Sequence, residues 1–263
     1  MSILSELELL QLFLTMSKSL QLQYCASVQV IRSQFVKNTN QMVAEPDVNE
    51  TSIEDLYNSI TTGGGFTFFS RGQATDILIH NCTFTANSAN RNDENNSRPV
   101  LLKANGHGGA ILIRLAGVEN SQIEVSNCTF ENNTAQVDGG AVYISLSESL
   151  NSSTMVFRDT QFLNNSVEIA SGGAISITSF NHTYNNTVVV ENCDFTRNHG
   201  NAGGAFSVAL YDSNLQSTQL PDRVNFTNCR FCNNTALNEG TAIGLFSLVH
   251  VDQVGFPVSF ENW

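Results

Sequence analysis

The sequence has few charged residues, and basic ones are the scarcest. Asp, Glu, Lys and Arg make up only 14% of its 263 residues, against about 25% in a typical domain, and the formal net charge is −12. Because an acidic chain repels polyanions, we expect neither nucleic acid nor an anionic membrane surface as a partner. An apolar content of 41% with only four prolines argues against intrinsic disorder.

The chain also lacks long apolar runs and a basic N-terminus. No run approaches the roughly 18 consecutive apolar residues that span a bilayer, so we expect no membrane insertion. Glu6 and Glu8 precede the largely apolar run Leu9–Leu14, where a secretory signal carries positive charge. Ser5 and Glu8 also form a capping-box pattern ahead of apolar residues at helical spacing. Residues 1–24 are therefore interpreted as either a short N-terminal capping helix or a degenerate signal segment.

The fold prediction rests on two short blocks that alternate along the chain. The first has a polar residue, usually Cys, then any residue, Phe, two residues and Asn; its Phe residues are Phe35, Phe84, Phe130, Phe162, Phe195 and Phe231. The second is Gly-Gly-Ala followed by an aliphatic residue or Phe, and it starts at Gly108, Gly139, Gly172 and Gly203, with a degenerate copy at Gly240. An alternating apolar run follows each Gly-Gly-Ala block, and another apolar run precedes each Phe-Asn block. Three short strands per repeat and steps of 32, 33 and 36 residues predict an all-β parallel β-helix of about six coils.

Stacking of such coils places equivalent residues above one another, so like residues form columns. We expect an aromatic stack of Phe130, Phe162, Phe195 and Phe231. We expect a corner ladder of Asn133, Asn165, Asn198 and Asn234, because an amide both donates and accepts hydrogen bonds. Four of the six cysteines, Cys82, Cys128, Cys193 and Cys229, share a third column. They are interpreted either as buried thiols or as two vertical disulfides between neighbouring coils.

The two blocks resemble the GGA[ILV] and FxxN repeats of the chlamydial polymorphic outer membrane proteins. The resemblance runs from about Phe35 to Ile243. It implies a right-handed parallel β-helix of the pectin-lyase-like superfamily, exposed at the cell surface or outside the cell, with an adhesive role. We accordingly interpret residues 25–263 as one repeat domain. The chain ends in Phe260-Glu261-Asn262-Trp263, which reads like the start of a further repeat and predicts truncation at the C-terminus.

An enzymatic reading has one motif in its favour. Gly106-His107-Gly108 is similar to the GHG of polygalacturonases, in which hydrolysis needs paired acids. No Asp-Asp pair occurs here, and Gly108 already belongs to a Gly-Gly-Ala block. We therefore expect no catalytic residue, no metal and no cofactor. The alternative is a carbohydrate-active lyase or hydrolase of the same superfamily.

The segments between the strands carry the expected contacts with a protein or glycan ligand. Three of them follow a Gly-Gly-Ala strand and are predicted to form one face: Ser147–Ser153, Ser179–Asn186 and Tyr211–Asp222. Tyr184 and Tyr211 are the expected contact side chains. The longest segment, Ser88–Asn105, follows a Phe-Asn block and is expected at a different corner.

Glycosylation is the remaining prediction from short motifs. The chain has eleven Asn-x-Ser/Thr sequons, which favours secretion. Several of them fall within the repeated block, where the repeat structure is expected to account for the asparagine. The expected acceptors therefore lie between the strands, at Asn151, Asn181 and Asn185.

Overall fold

Four parallel β-sheets form the walls of a right-handed β-helix. The computed structural model describes residues 2–5, 10–12, 15–16, 20–23, 27–42, 64–72, 74–91, 106–147, 152–180, 185–211, 223–247 and 258–261. Within these ranges each strand pairs in parallel with its equivalent in the neighbouring coils. The predicted all-β parallel solenoid is confirmed.

We number the sheets in the order in which the chain meets them after each Gly-Gly-Ala block. The strands of the first sheet are Ser2–Ser5, Leu20–Gln23, Phe66–Arg71, Ile111–Ala116, Val142–Ser147, Ile175–Phe180, Phe206–Tyr211 and Ile243–Ser247. The strands of the second sheet are Leu10–Leu12, Ser27–Ile31, Asp76–His80, Gln122–Ser126, Thr154–Arg158, Thr187–Glu191, Arg223–Thr227 and Val258–Glu261.

The two remaining sheets consist of shorter strands. Those of the third sheet are Thr15–Met16, Gln34–Val36, Thr83–Thr85, Thr129–Glu131, Gln161–Leu163, Asp194–Thr196 and Arg230–Cys232. Those of the fourth are Thr39–Met42, Ser88–Arg91, Thr134–Ala135, Ser166–Val167, His199–Ala202 and Thr235–Glu239. The prediction of three strands per repeat is therefore wrong. The missed strand is as short as two residues, which is too short to show an apolar alternation.

Strands replace the capping helix in the described parts of the N-terminal segment. Four strands there, Ser2–Ser5, Leu10–Leu12, Thr15–Met16 and Leu20–Gln23, pair in parallel with equivalent strands. Leu20 and Leu22 alternate with glutamines, which is strand periodicity, and pairing with the next coil stabilises it more than a local cap stabilises a helix. With these strands the first and second sheets reach eight strands each, so the count of about six coils is too low.

Left-handed residues make two sharp corners in each coil. In one coil, Asn127 joins the second sheet to the third with a φ of 54°, and Asn132 joins the third to the fourth with a φ of 55°. Asn adopts this conformation more readily than most other residues with a side chain, which explains its frequency at both corners. The next residue in each case, Cys128 and Asn133, turns into the interior and is buried.

Phe rings form a continuous column inside the helix. Adjacent rings have centroids between 4.7 and 5.0 Å apart and planes within 3° to 6° of parallel; they are Phe35, Phe84, Phe130, Phe162, Phe195 and Phe231. Because each ring lies almost directly on the next, the column keeps the coils in register through apolar burial and ring contact.

A second column consists of Asn side chains: Asn38, Asn87, Asn133, Asn165, Asn198 and Asn234. The Nδ2 of Asn165 donates to Oδ1 of Asn198 and to the carbonyl of Phe130, both at 3.0 Å. The backbone N–H of Asn165 donates to the same Oδ1 at 3.0 Å. Each amide thus links three coils and satisfies buried backbone groups at the corner.

The two glycines of each Gly-Gly-Ala block have different tasks. Gly139 adopts a φ of 64°, in the left-handed region. A Cβ on Gly140 would lie 2.1 Å from the carbonyl oxygen of Gly173 and 2.6 Å from that of Ser166. The first glycine is therefore required by the turn, and the second by the close approach of backbone from the next coil.

In the consecutive first-sheet strands that begin at Val142, Ile175 and Phe206, outward side chains are buried as well as inward ones, although the alternation predicted one buried face. The outward-facing side chains of Tyr143, Ser176 and Ser207 are 3%, 1% and 0% exposed. The Oγ atoms of Ser176 and Ser207 are 3.2 Å apart, so the hydroxyls bond to each other. The prediction is wrong here because a polar outward residue does not establish that water reaches it. These three side chains are therefore not available to a ligand.

We expect Asn198→Ala to destabilise the solenoid by about 1 to 3 kcal/mol, because it leaves buried groups of two neighbouring coils without partners. The control is Arg197→Ala, which changes the exposed neighbour at the same left-handed corner. Denaturant unfolding of both variants measures the difference. Equal stability of the two variants would contradict the ladder's role.

We expect Gly140→Ala to cost far more stability than Gly72→Ala. Gly72 has a φ of 69° and nothing within 4 Å of an added Cβ, so its variant incurs only backbone strain. The Gly140 variant must also push two backbone carbonyls apart. Thermal unfolding of the two proteins compares them, and a similar loss in both would refute the close-approach explanation.

Candidate functional site

Three of the variable segments leave the solenoid at one corner. Ser147–Ser153, Ser179–Asn186 and Tyr211–Asp222 each connect a first-sheet strand to a second-sheet strand in three consecutive coils. The strands before them pair directly with one another, and so do the strands after them. Ser88–Asn105 begins instead in a strand of the fourth sheet, at a different corner. Residues 92–105, 148–151, 181–184 and 212–222 lie outside the described residues.

Few of the predicted contact and acceptor residues fall within the described ranges. Asn151, Asn181 and Tyr184 lie outside them. Tyr211 ends its first-sheet strand and pairs with Phe180 through the backbone. The Nδ2 of Asn185 donates to Oγ of Ser152 at 3.1 Å, which bridges the ends of two neighbouring segments.

The sequon asparagines of the repeat are exposed. Asn127, Asn132 and Asn164 occupy left-handed corner positions with exposed side chains. The repeat fixes the backbone of these asparagines at its corners, because the left-handed turn directs this residue outward and the following one inward.

A buried polar column, which the sequence reading missed, supports the loop-bearing corner. Ser121 Oγ accepts from the backbone N–H of Thr75 at 2.9 Å, and Ser153 Oγ accepts from that of Ser121 at 3.2 Å. Asn186 Oδ1 accepts from the N–H of Ser153 at 3.0 Å. All four residues are at most 2% exposed. The column fixes the points at which the first two segments rejoin the second sheet, at Ser153 and Asn186, and its sequence signal is a polar residue directly before the strand.

A shallow groove of about 260 Å³ runs along the outer face of the second sheet, beside this corner. It crosses four consecutive strands and is lined by two outward columns. The column next to the corner contains Ser27, Asp76, Gln122 and Thr154, and the other contains Gln29, Leu78, Glu124 and Val156. The groove therefore offers hydroxyl, amide and carboxylate groups beside two apolar side chains.

The charge of the groove is one-sided. Asp76 is exposed and Glu124 is partly exposed, and both are carboxylates. No Lys or Arg lines the groove. A ligand that enters it meets hydrogen-bond acceptors and negative charge, which favours a neutral or cationic partner.

His107 lies away from the groove, at the corner between the fourth and first sheets. It is 3% exposed, its Nδ1 is 3.4 Å from Oδ2 of Asp138, and its ring stacks on Tyr143 at 4.4 Å. His107 directly precedes the glycine pair of its own coil, and Asp138 directly precedes the equivalent pair in the next coil. The contacts of His107 are thus with the repeat itself.

The described residues offer no cluster of metal ligands. No group of three or more His, Cys, Asp or Glu side chains among them could hold an ion. None of the described segments forms a helix of the length and apolar character that a membrane crossing requires.

We expect Ser153→Ala to destabilise the protein by about 1 to 3 kcal/mol, because the buried N–H of Ser121 loses its acceptor. Ser152→Ala is the control, since the exposed Ser152 is bonded to Asn185 at the surface. Urea unfolding gives the stabilities, and hydrogen exchange at the Ser121 amide should accelerate only in the first variant. Unchanged exchange at Ser121 would contradict the polar column.

Comparison with known proteins agrees with the repeat architecture. Residues 127–145 match the model of the Chlamydia polymorphic membrane protein repeat. The chain is 28% identical over 184 residues to the probable autotransporter YfaL of Escherichia coli (strain K12). That match covers 68% of this chain but only 13% of the relative, so the chain spans a small part of the relative's length. No solved structure matches.

The matched residues 127–145 run from one Asn-Cys corner through Phe130 and Asn133 to the Gly139-Gly140 pair and the strand after it. They therefore contain both blocks that stack in the solenoid. The parallel sheets are also consistent with the pectin-lyase-like superfamily. This chain is a parallel β-helix, and its residues 127–145 match the repeat of the Chlamydia polymorphic membrane proteins.

Proposed function

We propose that this chain is an adhesin-like, non-enzymatic β-helix that acts at the cell surface or after secretion. It binds a protein or glycan ligand through the second-sheet groove and the three segments beside it. The observation that carries the proposal is their arrangement. Three variable segments leave consecutive coils at one corner, and the first of them, Ser147–Ser153, leads into Thr154, which lines the outward groove.

The division between constant and variable positions supports a binding role. Inward positions repeat the same residue types from coil to coil, as the Phe and Asn columns do. The segments at the loop-bearing corner differ in sequence, and the third is longer than the other two. A solenoid accepts such changes at small cost, so a ligand can be accommodated there without disturbing the core.

Similarity to a probable autotransporter supports a surface or secreted location. The name of that relative specifies no ligand, and the match covers only 13% of its length. The chemistry of the groove therefore supports the ligand class.

The groove chemistry favours binding over cleavage of pectin-like polymers. Such polymers are polyanions, and they would meet the carboxylates of Asp76 and Glu124 with no basic side chain in the lining. A neutral glycan or a protein surface with amide and cationic groups meets complementary hydrogen-bond acceptors instead. The carbohydrate-active lyase or hydrolase is accordingly the less supported alternative.

A binding assay on host cells and extracellular matrix tests the proposal. Replacing all three corner segments by short Gly-Ser turns should weaken binding at least about tenfold, or about 1.4 kcal/mol. Glu124→Gln in the groove should change binding measurably, whereas Glu131→Gln on the outer face of the third sheet should not. Circular dichroism confirms that each variant retains the β-helix.

Two results would contradict the proposal. Binding that survives replacement of the three segments and the Glu124 change would exclude this face as the binding site. Release of reducing or unsaturated ends from a pectin-like polymer by the unmodified protein would exclude a non-enzymatic role. If the unmodified protein released such ends and the His107→Ala variant did not, the active site would lie at the corner between the fourth and first sheets.

A further inference from the structure

The column of small residues at the corner between the second and third sheets contains two stacked pairs of thiols. Cys82 and Cys128 occupy neighbouring coils, and the N–H of Cys82 donates to Sγ of Cys128 at 3.4 Å. Thr160 takes the same place in the following coil, where its Oγ1 accepts from the N–H of Cys128 at 3.3 Å. Cys193 and Cys229 are therefore the second neighbouring pair. All four are free thiols in the structure.

Cys193 and Cys229 are held one coil apart by the backbone. The N–H of Arg230 donates to the carbonyl of Cys193 at 2.9 Å, and the strands that follow pair Asp194 with Arg230 in register. Neighbouring strands lie about 4.8 Å apart, which is inside the range of about 4.4 to 6.8 Å between the Cα atoms of a disulfide. A bond between them requires little movement of the coils.

Accessibility separates this pair from the other. Cys82, Cys128 and Cys193 are at most 2% exposed, whereas Cys229 is partly exposed. The hydrogen bond from Cys193 lowers the pKa of the Cys229 thiol to about 7, while the same contact and burial raise the pKa of Cys193. Cys229 is thus the thiol that a reagent in solution can reach, and its lowered pKa favours the thiolate that attacks a disulfide. No thiol of the Cys82–Cys128 pair has that access.

Cys232 is close to Cys229 in sequence, but the fold does not place its thiol where it would replace a member of the Cys193–Cys229 pair. Phe231 stacks on Phe195 inside the helix, so its neighbours Arg230 and Cys232 face outward along the strand. Cys229 precedes that strand, and its Sγ contacts the carbonyls of Val190 and Thr227 instead. The Cys-x-x-Cys spacing therefore places its two thiols in different environments.

We propose that Cys193 and Cys229 form a disulfide between adjacent coils when the folded chain meets a disulfide oxidant, and that Cys82 and Cys128 remain thiols. The Cys229 thiolate attacks one sulfur of the oxidant's disulfide and releases its first thiolate. Cys193 then loses its proton to the solvent and attacks Sγ of Cys229, which expels the second thiolate. Two protein thiols are oxidised and one external disulfide is reduced to two thiols.

The bond would join the two coils that the Tyr211–Asp222 segment connects. Oxidising surroundings, in which such bonds persist, are those of secreted and surface proteins. The disulfide would then resist local separation of these coils and hold the ends of that segment in place. The inference stands on the register of the coils and does not require that the segment bind a ligand.

The test uses the full-length purified chain, first reduced and then incubated with oxidised glutathione. Thiols are alkylated under denaturing conditions, and a non-reduced digest is analysed by mass spectrometry. We expect a cross-linked pair of peptides containing Cys193 and Cys229, with Cys82 and Cys128 alkylated. The oxidised protein should also unfold several degrees above the reduced one.

Variants make the assignment specific. Cys229→Ser should abolish the cross-link, whereas Cys232→Ser and Cys25→Ser should leave it in place. A Cys229–Cys232 bond, a stable glutathione adduct on Cys229 without a cross-link, or equally fast oxidation of Cys82 with Cys128 would each overturn the proposal.

Discussion

The one-coil register of parallel strands is the constraint on which the rest of the structure depends. Because each residue lies about 4.8 Å above its equivalent, an interior position must hold a side chain that packs against a copy of itself. Phe satisfies this by ring stacking, as between Phe162 and Phe195, and Asn by donating to one neighbour while accepting from the other. Glycine satisfies it by having no Cβ where the carbonyl of Gly173 approaches Gly140.

The sequence predicts the parts of the fold that are set by self-stacking. Phe162 and Asn165 recur with a fixed offset, so their columns can be inferred from spacing alone. The fourth wall was missed because Thr134–Ala135 is too short to carry a period. The polar column was missed because its members differ in type: any acceptor satisfies a backbone N–H, so Thr75, Ser121 and Asn186 look unrelated in sequence.

The same register separates the scaffold from the candidate binding face. At the corner between the first and second sheets, three consecutive coils carry segments that differ in sequence, and the polar column places the ends of the first two, at Ser153 and Asn186, in register. These segments lie along the corner that leads into the second-sheet groove. The carboxylates of the groove could not be located from the sequence, because the sequence does not reveal which outward columns of side chains are buried. Tyr143 lies in such a buried column.

Spin-label pairs on the outer face of the second sheet test the register most directly. Val156 pairs with Val189 one coil away, and Val189 pairs with Asn225 in the next. With a spin-labelled amino acid at two of these positions, continuous-wave electron paramagnetic resonance should show the strongest dipolar broadening for Val156 with Val189, at about 4.8 Å, and weaker broadening for Val156 with Asn225, at about 9.6 Å. Equal broadening in the two pairs, or none in either, would contradict a stacked in-register β-helix.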